Sequence, residues 1–463
     1  MTARLLILYA LRSLCCIGTL IGAGSGAGAG DAVDRMSPAQ RGFHWLTTKA
    51  YLPPDFDDEV FDSLWKVWPA DLQKQSQAAT PAERRKLAFS RYGLIERPGS
   101  KERGPALGYL SDGKGGWVMN CLACHSGKVA GQPVFGSPNS NFALETLVEE
   151  VRQRKLQMAR PLAHLDKGGL TMPLGTTRGT TNSVMFGVAL GSLRDKDLEM
   201  RREFTVPRLL HNDADAPAFW NVRRKKLLYA EGFAVKSHRL LVQFVMLPRN
   251  SGATLRGWED DFRDILAWIE SLEPPHYPWE IDRRLASTGQ AIFERNCSRC
   301  HGTYGKEGRY PNKIVPLDIV QTDPIRLQSI TIGRRQDMRD SWFGNYGKEE
   351  YVVDPQGYVA PPLNGVWASA PYLHNGSVPT LWHLLHSSER PKIWRRTEDG
   401  YDQQKVGLEV TAFDRLPETA KSKTEQREYF NTEQPGKSAA GHLFPDELTE
   451  DERQAVLEYL KTL

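Results

Sequence analysis

The sequence predicts a mainly α-helical protein with long loops, built as two related halves in tandem. Three observations carry this. The pattern Cys-x-x-Cys-His occurs twice in 463 residues, at 121–125 and at 297–301. A similar amphipathic segment closes each half, 262–272 and 453–463. These two match in type and spacing at Ile265/Val456, Leu266/Leu457, Trp268/Tyr459, Ile269/Leu460 and Leu272/Leu463. Both present a single apolar face at helical period. Strand-like alternation is scarce along the chain.

Each Cys-x-x-Cys-His run is the sequence form of covalent c-type haem attachment. The thiols of Cys121 and Cys124, and of Cys297 and Cys300, each add to a haem vinyl group. The adjacent His125 or His301 supplies the proximal nitrogen to iron. On one helical turn, residues three and four apart share a face, so both sulfurs and the imidazole meet one porphyrin. Half of a zinc site and a thioredoxin-like redox pair are the competing readings. Repetition, with a His each time, favours haem, because the only other cysteines are Cys15 and Cys16. Each half is therefore expected to be a class I-like c-type cytochrome domain carrying one covalent haem, two haem c in all.

Cys15 and Cys16 lie in a leader, residues 1–30. It has Arg4, an apolar stretch over 5–21 broken by Arg12, and the small-residue site Ala27-Gly28-Ala29. This is the layout of a cleaved secretory signal peptide. A retained anchor is the alternative, but Arg12 cuts the apolar run well below the ~20 residues that span a bilayer. Thioether formation takes place outside the bacterial cytoplasm, so a periplasmic protein is expected, with no membrane span in its mature form. The formal charge is +4, and removing Arg4 and Arg12 leaves +2. A near-neutral chain gives no reason to expect nucleic acid binding. With 25% charged and 40% hydrophobic residues, the composition is that of a globular protein.

The first domain is expected over 37–272 and the second over 282–463. A linker at 273–281 contains Pro274, Pro275 and Pro278, which stop any helix. In c-type cytochrome domains the terminal helix packs across a helix that precedes the haem motif. The second domain shows that partner, with Gly289 and Phe293 four apart ahead of Cys297. The first does not: 115–120, Gly-Gly-Trp-Val-Met-Asn, stands there. Helical stretches are expected near 57–65 and 81–90, and a large insertion follows the first motif.

Function turns on the sixth ligand of each iron: saturated sites suit electron transfer, open ones suit O₂ or peroxide. For the second haem, His374 is the first candidate, held in a proline-rich loop over 360–381 that ends near an Asn-Gly turn. A solvent-facing His is the plain alternative. Met338 is the rival, in a charged setting that suits a thioether poorly. For the first haem, His211, His238, Met172, Met185 and Met246 are candidates, and so is no protein ligand at all.

The loop 362–381, Pro-Leu-Asn-Gly-Val-Trp-Ala-Ser-Ala-Pro-Tyr-Leu-His-Asn-Gly-Ser-Val-Pro-Thr-Leu, resembles the C-terminal haem domain of the bacterial dihaem cytochrome c peroxidase superfamily. Within it, the branch of the dihaem rubber oxygenases is most similar. Pro217-Ala-Phe-Trp220, Lys225, Lys226 and Tyr229-Ala-Glu-Gly232 point the same way. The resemblance implies an electron-transfer haem on His301 with His374 opposite. It also implies a reactive haem on His125, open to peroxide or O₂. A Trp would pass electrons between them; Trp220 is the first choice, Trp367 and Trp342 the alternatives. With Trp220, His238 is the other catalytic candidate. The chain is shorter than the rubber oxygenases, and no methionine follows the Pro-Tyr-x-His loop.

The expected function is an exported dihaem oxidoreductase with a small redox protein as electron donor or acceptor. The alternative is a non-catalytic electron carrier with both irons saturated. A redox subunit of a larger complex is a third reading, with 223–226, Arg-Arg-Lys-Lys, docking an acidic cytochrome. His44, His164, His276, His383, His386 and His442 are read as structural or surface residues.

Overall fold

The computed structural model describes residues 33–99, 104–203, 211–344 and 351–463. The leader expected over 1–30, with Cys15 and Cys16, lies outside the described residues. Helix accounts for 43% and strand for 12%, and no helix among the described residues is long and apolar enough to cross a membrane.

Two helix crossings organise the molecule. Helix α1 (Pro38–Thr48) starts at a capping box: Gln40 N donates to Ser37 Oγ and Ser37 N to Gln40 Oε1, with Pro38 in the first turn. Short helices follow over Asp58–Asp62, Ala70–Ala78 and Pro81–Tyr92, two of them where the sequence predicts helix, then β1 (Tyr109–Ser111) paired to β2 (Gly116–Met119), and helices α2 (Leu144–Gln157) and α3 (Ser183–Ser192). Helix α4 (Glu259–Ser271) buries Phe262, Ile265, Trp268 and Ile269 and packs across α1. Helices α5 (Arg283–Asn296) and α6 (Glu450–Leu460) make the second crossing. Between them lies the hairpin β3 (Ile393–Asp402) and β4 (Gly407–Phe413).

The two crossings correspond residue for residue. A Cβ on Gly42 of α1 would overlap the Asp264 carbonyl of α4; a Cβ on Gly289 of α5 would overlap the Ala455 carbonyl of α6. The same 191 residues separate Asp264 from Ala455 and Trp268 from Tyr459. Four residues after each glycine an apolar side chain is buried, Leu46 in α1 and Phe293 in α5. Only glycine permits such backbone approach. The first half thus has a partner helix, although none directly precedes its motif. It lies far upstream, and 116–119 form strand β2 instead. The β3–β4 hairpin is also absent from the sequence reading. Only Ile393, Trp394, Gly407 and Leu408 of its strands are buried, and charged residues fill much of β3, so they lack the apolar alternation that reveals a strand.

Apolar side chains gather into three large clusters and two small ones. One packs α1, α3 and α4 with 219–247; a second packs α5 and α6 with 366–381 and the hairpin; a third lies under 56–165. Residues 330–344 and Tyr351 follow the second motif in sequence, yet Ile330 and Phe343 bury into the first cluster, with Met338, Trp342 and Tyr351 against it. Met338, the rival ligand for the second haem, therefore belongs to the core beside the first motif. A fully buried ion pair also ties the halves: Lys437 Nζ lies 2.5 Å from Asp213 Oδ2, both side chains 1% exposed.

Candidate functional sites at the two Cys-x-x-Cys-His motifs

Each motif is a single turn that carries its three reactive groups to one side. In the first, Asn120 Oδ1 accepts from Leu122 N and starts a 3₁₀ turn, and His125 N donates to Cys121 O at 3.0 Å. In the second, His301 N donates to Cys297 O at 3.1 Å. Each turn straddles two clusters. Cys121 packs on the first core and Cys124 on the third; Cys297 packs on the second core and Cys300 on a small cluster around Val315, Leu327 and Tyr358.

The two imidazoles are oriented alike. His125 Nδ1 lies 3.0 Å from Pro217 O and His301 Nδ1 2.8 Å from Pro361 O. A carbonyl accepts only, so Nδ1 carries the hydrogen and Nε2 keeps its lone pair for a metal. Burial pushes His125 down to about 4 and lowers His301, so both rings are neutral near pH 7. Burial raises the thiols of Cys121 and Cys124 to about 12 and that of Cys297 to about 11. A redox-active dithiol needs the opposite shift. Among the described residues no three His, Cys, Asp or Glu side chains converge as a zinc site requires. Paired thiols beside a neutral, pre-oriented imidazole fit covalent haem.

The carbonyl-bearing loops are themselves a repeat. Residues 217–232 align without gaps on 361–376: Pro217 with Pro361, Val222 with Val366, Gly232 with Gly376. Tyr229 and Leu373 both have positive φ, 67° and 62°, as do Gly232 and Gly376, 67° and 72°. Each loop closes with a 3.2 Å bond, Gly232 N to Tyr229 O and Gly376 N to Leu373 O. This repeat is legible once the two prolines are aligned.

Trp220 sits where these loops meet. It is buried, and its indole N–H donates to Asn364 O at 2.8 Å; Asn364 is its own counterpart in the other loop. Gly365, with φ 62°, makes room: a Cβ there would stand 2.9 Å from Trp220 Nε1. The alternatives lie elsewhere. Trp367 bonds Pro275 O and packs on Tyr277, Trp279 and Tyr401; Trp342 lies under the Arg239 guanidinium.

The remaining candidates separate. His238 is buried, with Nε2 2.6 Å from Glu259 Oε1, a carboxylate that also takes Arg239. Its imidazole is thus engaged with Glu259. Met172, Met185 and Met246 are buried in the first core. His211 has positive φ and its carbonyl packs on Gly436. His374 stacks on Tyr358, ring centres 4.2 Å apart. The ring that faces His301 is instead His442, at 6.1 Å between centres. Two imidazoles on one metal from opposite sides stand about 6 Å apart, given metal–nitrogen bonds of about 2 Å and the half-width of each ring. His442 Nδ1 is buried without a hydrogen-bond partner. Arg390 pins the segment by donating to the carbonyls of Ala439 and Gly441 at 2.7 Å each. The sequence reading missed His442 because only its neighbours Gly441 and Phe444 hint at a constrained turn.

The comparisons agree at the level of class. Residues 357–395 match the RoxA-like, cytochrome c-like family. The chain thus contains a RoxA-like cytochrome c domain, which implies covalently bound haem c and a redox role. Two proteins of Sinorhizobium fredii (strain NBRC 101917 / NGR234) are similar to it. The uncharacterized protein y4iJ is 30% identical over 258 residues, 42% of this chain and 41% of that protein. The uncharacterized protein y4iM is 31% identical over 220 residues, 42% of this chain and 49% of that protein. The chain thus spans less than half the length of either relative.

Proposed function

We propose that this chain is an exported dihaem c-type cytochrome oxidoreductase, built as two tandem haem domains over 37–272 and 282–463. Its first site reacts with peroxide or O₂, and its second transfers electrons. The observation that carries this reading is an asymmetry. His442 faces His301 at the spacing of a bis-imidazole site. No histidine ring among the described residues makes that approach to His125, whose ring neighbour is Phe219, stacked at 3.7 Å.

Haem c, when bound, supplies a redox-active iron, with an exchangeable position where the protein gives one axial ligand and none where it gives two. Cys121 and Cys124, and Cys297 and Cys300, would hold the two groups by thioethers. Pro217 and Pro361 fix the tautomers of His125 and His301. His442 replaces His374 as the proposed sixth ligand of the second site. Leu122, Phe219 and Met185, buried beside the first motif, keep water from that side of it. Trp220 spans the gap between the loops that orient the two imidazoles.

One observation favours the electron-carrier alternative. Met172, Met185 and Met246 are all buried in the core beside the first motif, and a thioether from one of them would saturate that site. Low-temperature EPR of the ferric protein tests both readings, with His442→Ala and His374→Ala alongside. The enzyme reading expects one high-spin or cyanide-responsive signal, and one low-spin signal that only His442→Ala converts. Two low-spin signals, both indifferent to cyanide, would leave the carrier.

A further inference from the structure

The two motifs differ in what surrounds them. At the first, the residues between the cysteines are interior: Leu122 is 1% exposed and Ala123 5%. The one cation nearby in sequence, Lys128, is paired with Asp399 at 2.8 Å. At the second, Arg299 between the cysteines is exposed and Ser298 half-buried. Over 294–313 there are five cations, Arg295, Arg299, Lys306, Arg309 and Lys313, against Glu294 and Glu307. All seven are exposed.

These cations are available. Arg295 pairs with Glu452 at 3.1 Å. The other four side chains make no hydrogen bond or ion pair among the described residues. The loop 303–309 folds back on the motif, Thr303 N donating to Arg309 O at 2.9 Å, so Arg309 sits next to Gly302 and His301. The run 223–226 contributes less than its composition suggests. Arg223 is paired with Glu273; Arg224 turns inward to Asn364 Oδ1 and Thr303 O; Lys225 is half-buried. Lys226 is exposed, its backbone N–H on Asn312 Oδ1 beside Lys313. It extends the same rim.

We propose that this rim, Lys226, Arg299, Lys306, Arg309 and Lys313, is the docking surface for a small acidic electron carrier that exchanges one electron with the second site. The proposal rests on the reading of that site as the electron-transfer one. A cluster of like charges desolvated by nothing of its own attracts an acidic partner and speeds its encounter. The near-neutral charge of the chain as a whole makes the local excess distinctive. Arg299, exposed between Cys297 and Cys300, places the partner close to the attached group. Over 118–137, around the first motif, the one cation is the paired Lys128.

Stopped-flow mixing with a reduced plant-type ferredoxin, a small acidic protein of low potential, tests the proposal. The double variant Lys306→Glu/Arg309→Glu is compared with Arg283→Glu/Arg284→Glu. The latter changes the charge equally at exposed sites on the far end of α5. The rim variant should lose about tenfold or more in second-order rate at low salt, and the gap should close at high ionic strength. The α5 variant should change by about twofold at most, and dithionite should reduce all three proteins alike. Equal losses in both variants, or none in either, would overturn the docking site while leaving the second haem intact. A pyridine haemochrome titration separates the deeper failure. One haem per chain, absent from the second motif, would sink the electron-transfer reading and the docking surface together.

Discussion

The two Cys-x-x-Cys-His turns differ by what encloses them rather than by their own chemistry. Both carry paired thiols, and both imidazoles point Nδ1 at a proline carbonyl. Yet the residues between the cysteines are buried in the first, where Phe219 stacks on His125, and half-buried or exposed in the second, where His442 stands 6.1 Å from His301. One local motif thus sits in two different settings. The identical part is within one helical turn of sequence; the differing part is contributed from far along the chain.

Separating the halves should have the largest effect. Asp213→Asn leaves Lys437 charged and buried without its partner, so a loss of about 3–5 kcal/mol is expected in chemical denaturation. Hydrogen bonds from Thr176 N and the Thr180 hydroxyl share the stabilisation of Asp213, held near 2 by Lys437. Its folded pKa lies below the unfolded value of ~3.9. The contribution is therefore fully present above pH ~4 and lost as pH falls through about 2. Wild type should lose stability over that window, and Asp213→Asn should lose less.

The equivalence of the two crossings can be broken next. Gly42→Ala and Gly289→Ala each drive a methyl into a carbonyl of the facing helix, at an expected cost of about 1–3 kcal/mol. Similar shifts in thermal midpoint would support the duplication; a shift in only one would show that the crossings are not equivalent. Trp220→Phe removes the donor to Asn364 O and should cost about 1 kcal/mol. If Trp220 links the sites, flash-induced transfer between them should also slow, whereas a packing residue would leave that rate unchanged. The smallest effect is expected for Lys128→Ala, which removes a half-exposed pair with Asp399 and should change stability by about 0.5 kcal/mol or less.

Legibility followed sequence distance. Gly289 and Phe293 lie within one helix and just ahead of Cys297, so their packing role could be read directly. The equivalent Gly42 lies outside any recognisable motif, because strand β2 and the region 56–111 are inserted between α1 and Cys121. Trp220 was legible as a bridging candidate through its Pro-Ala-Phe-Trp setting, and it does sit between the loops. Met338 was not legible as a residue of the other core, because 330–344 crosses to it from beyond the second motif. The meeting of His442 with His301 was not legible, because nothing local around 442 marks it.

The sequence by itself determined the covalent chemistry and the terminal helices. Cys, Cys and His within five residues meet on one turn whatever surrounds them, and an apolar face at helical period must be buried. Only the tertiary structure decided that the His442 ring comes beside His301, which helix crosses α4, and where exposed cations gather near a motif. Those outcomes depend on contacts between distant segments; His301 and His442 are 141 residues apart. No local preference encodes such a meeting, because it is the packing of helices α1, α4, α5 and α6 and the loops between them that brings the segments together.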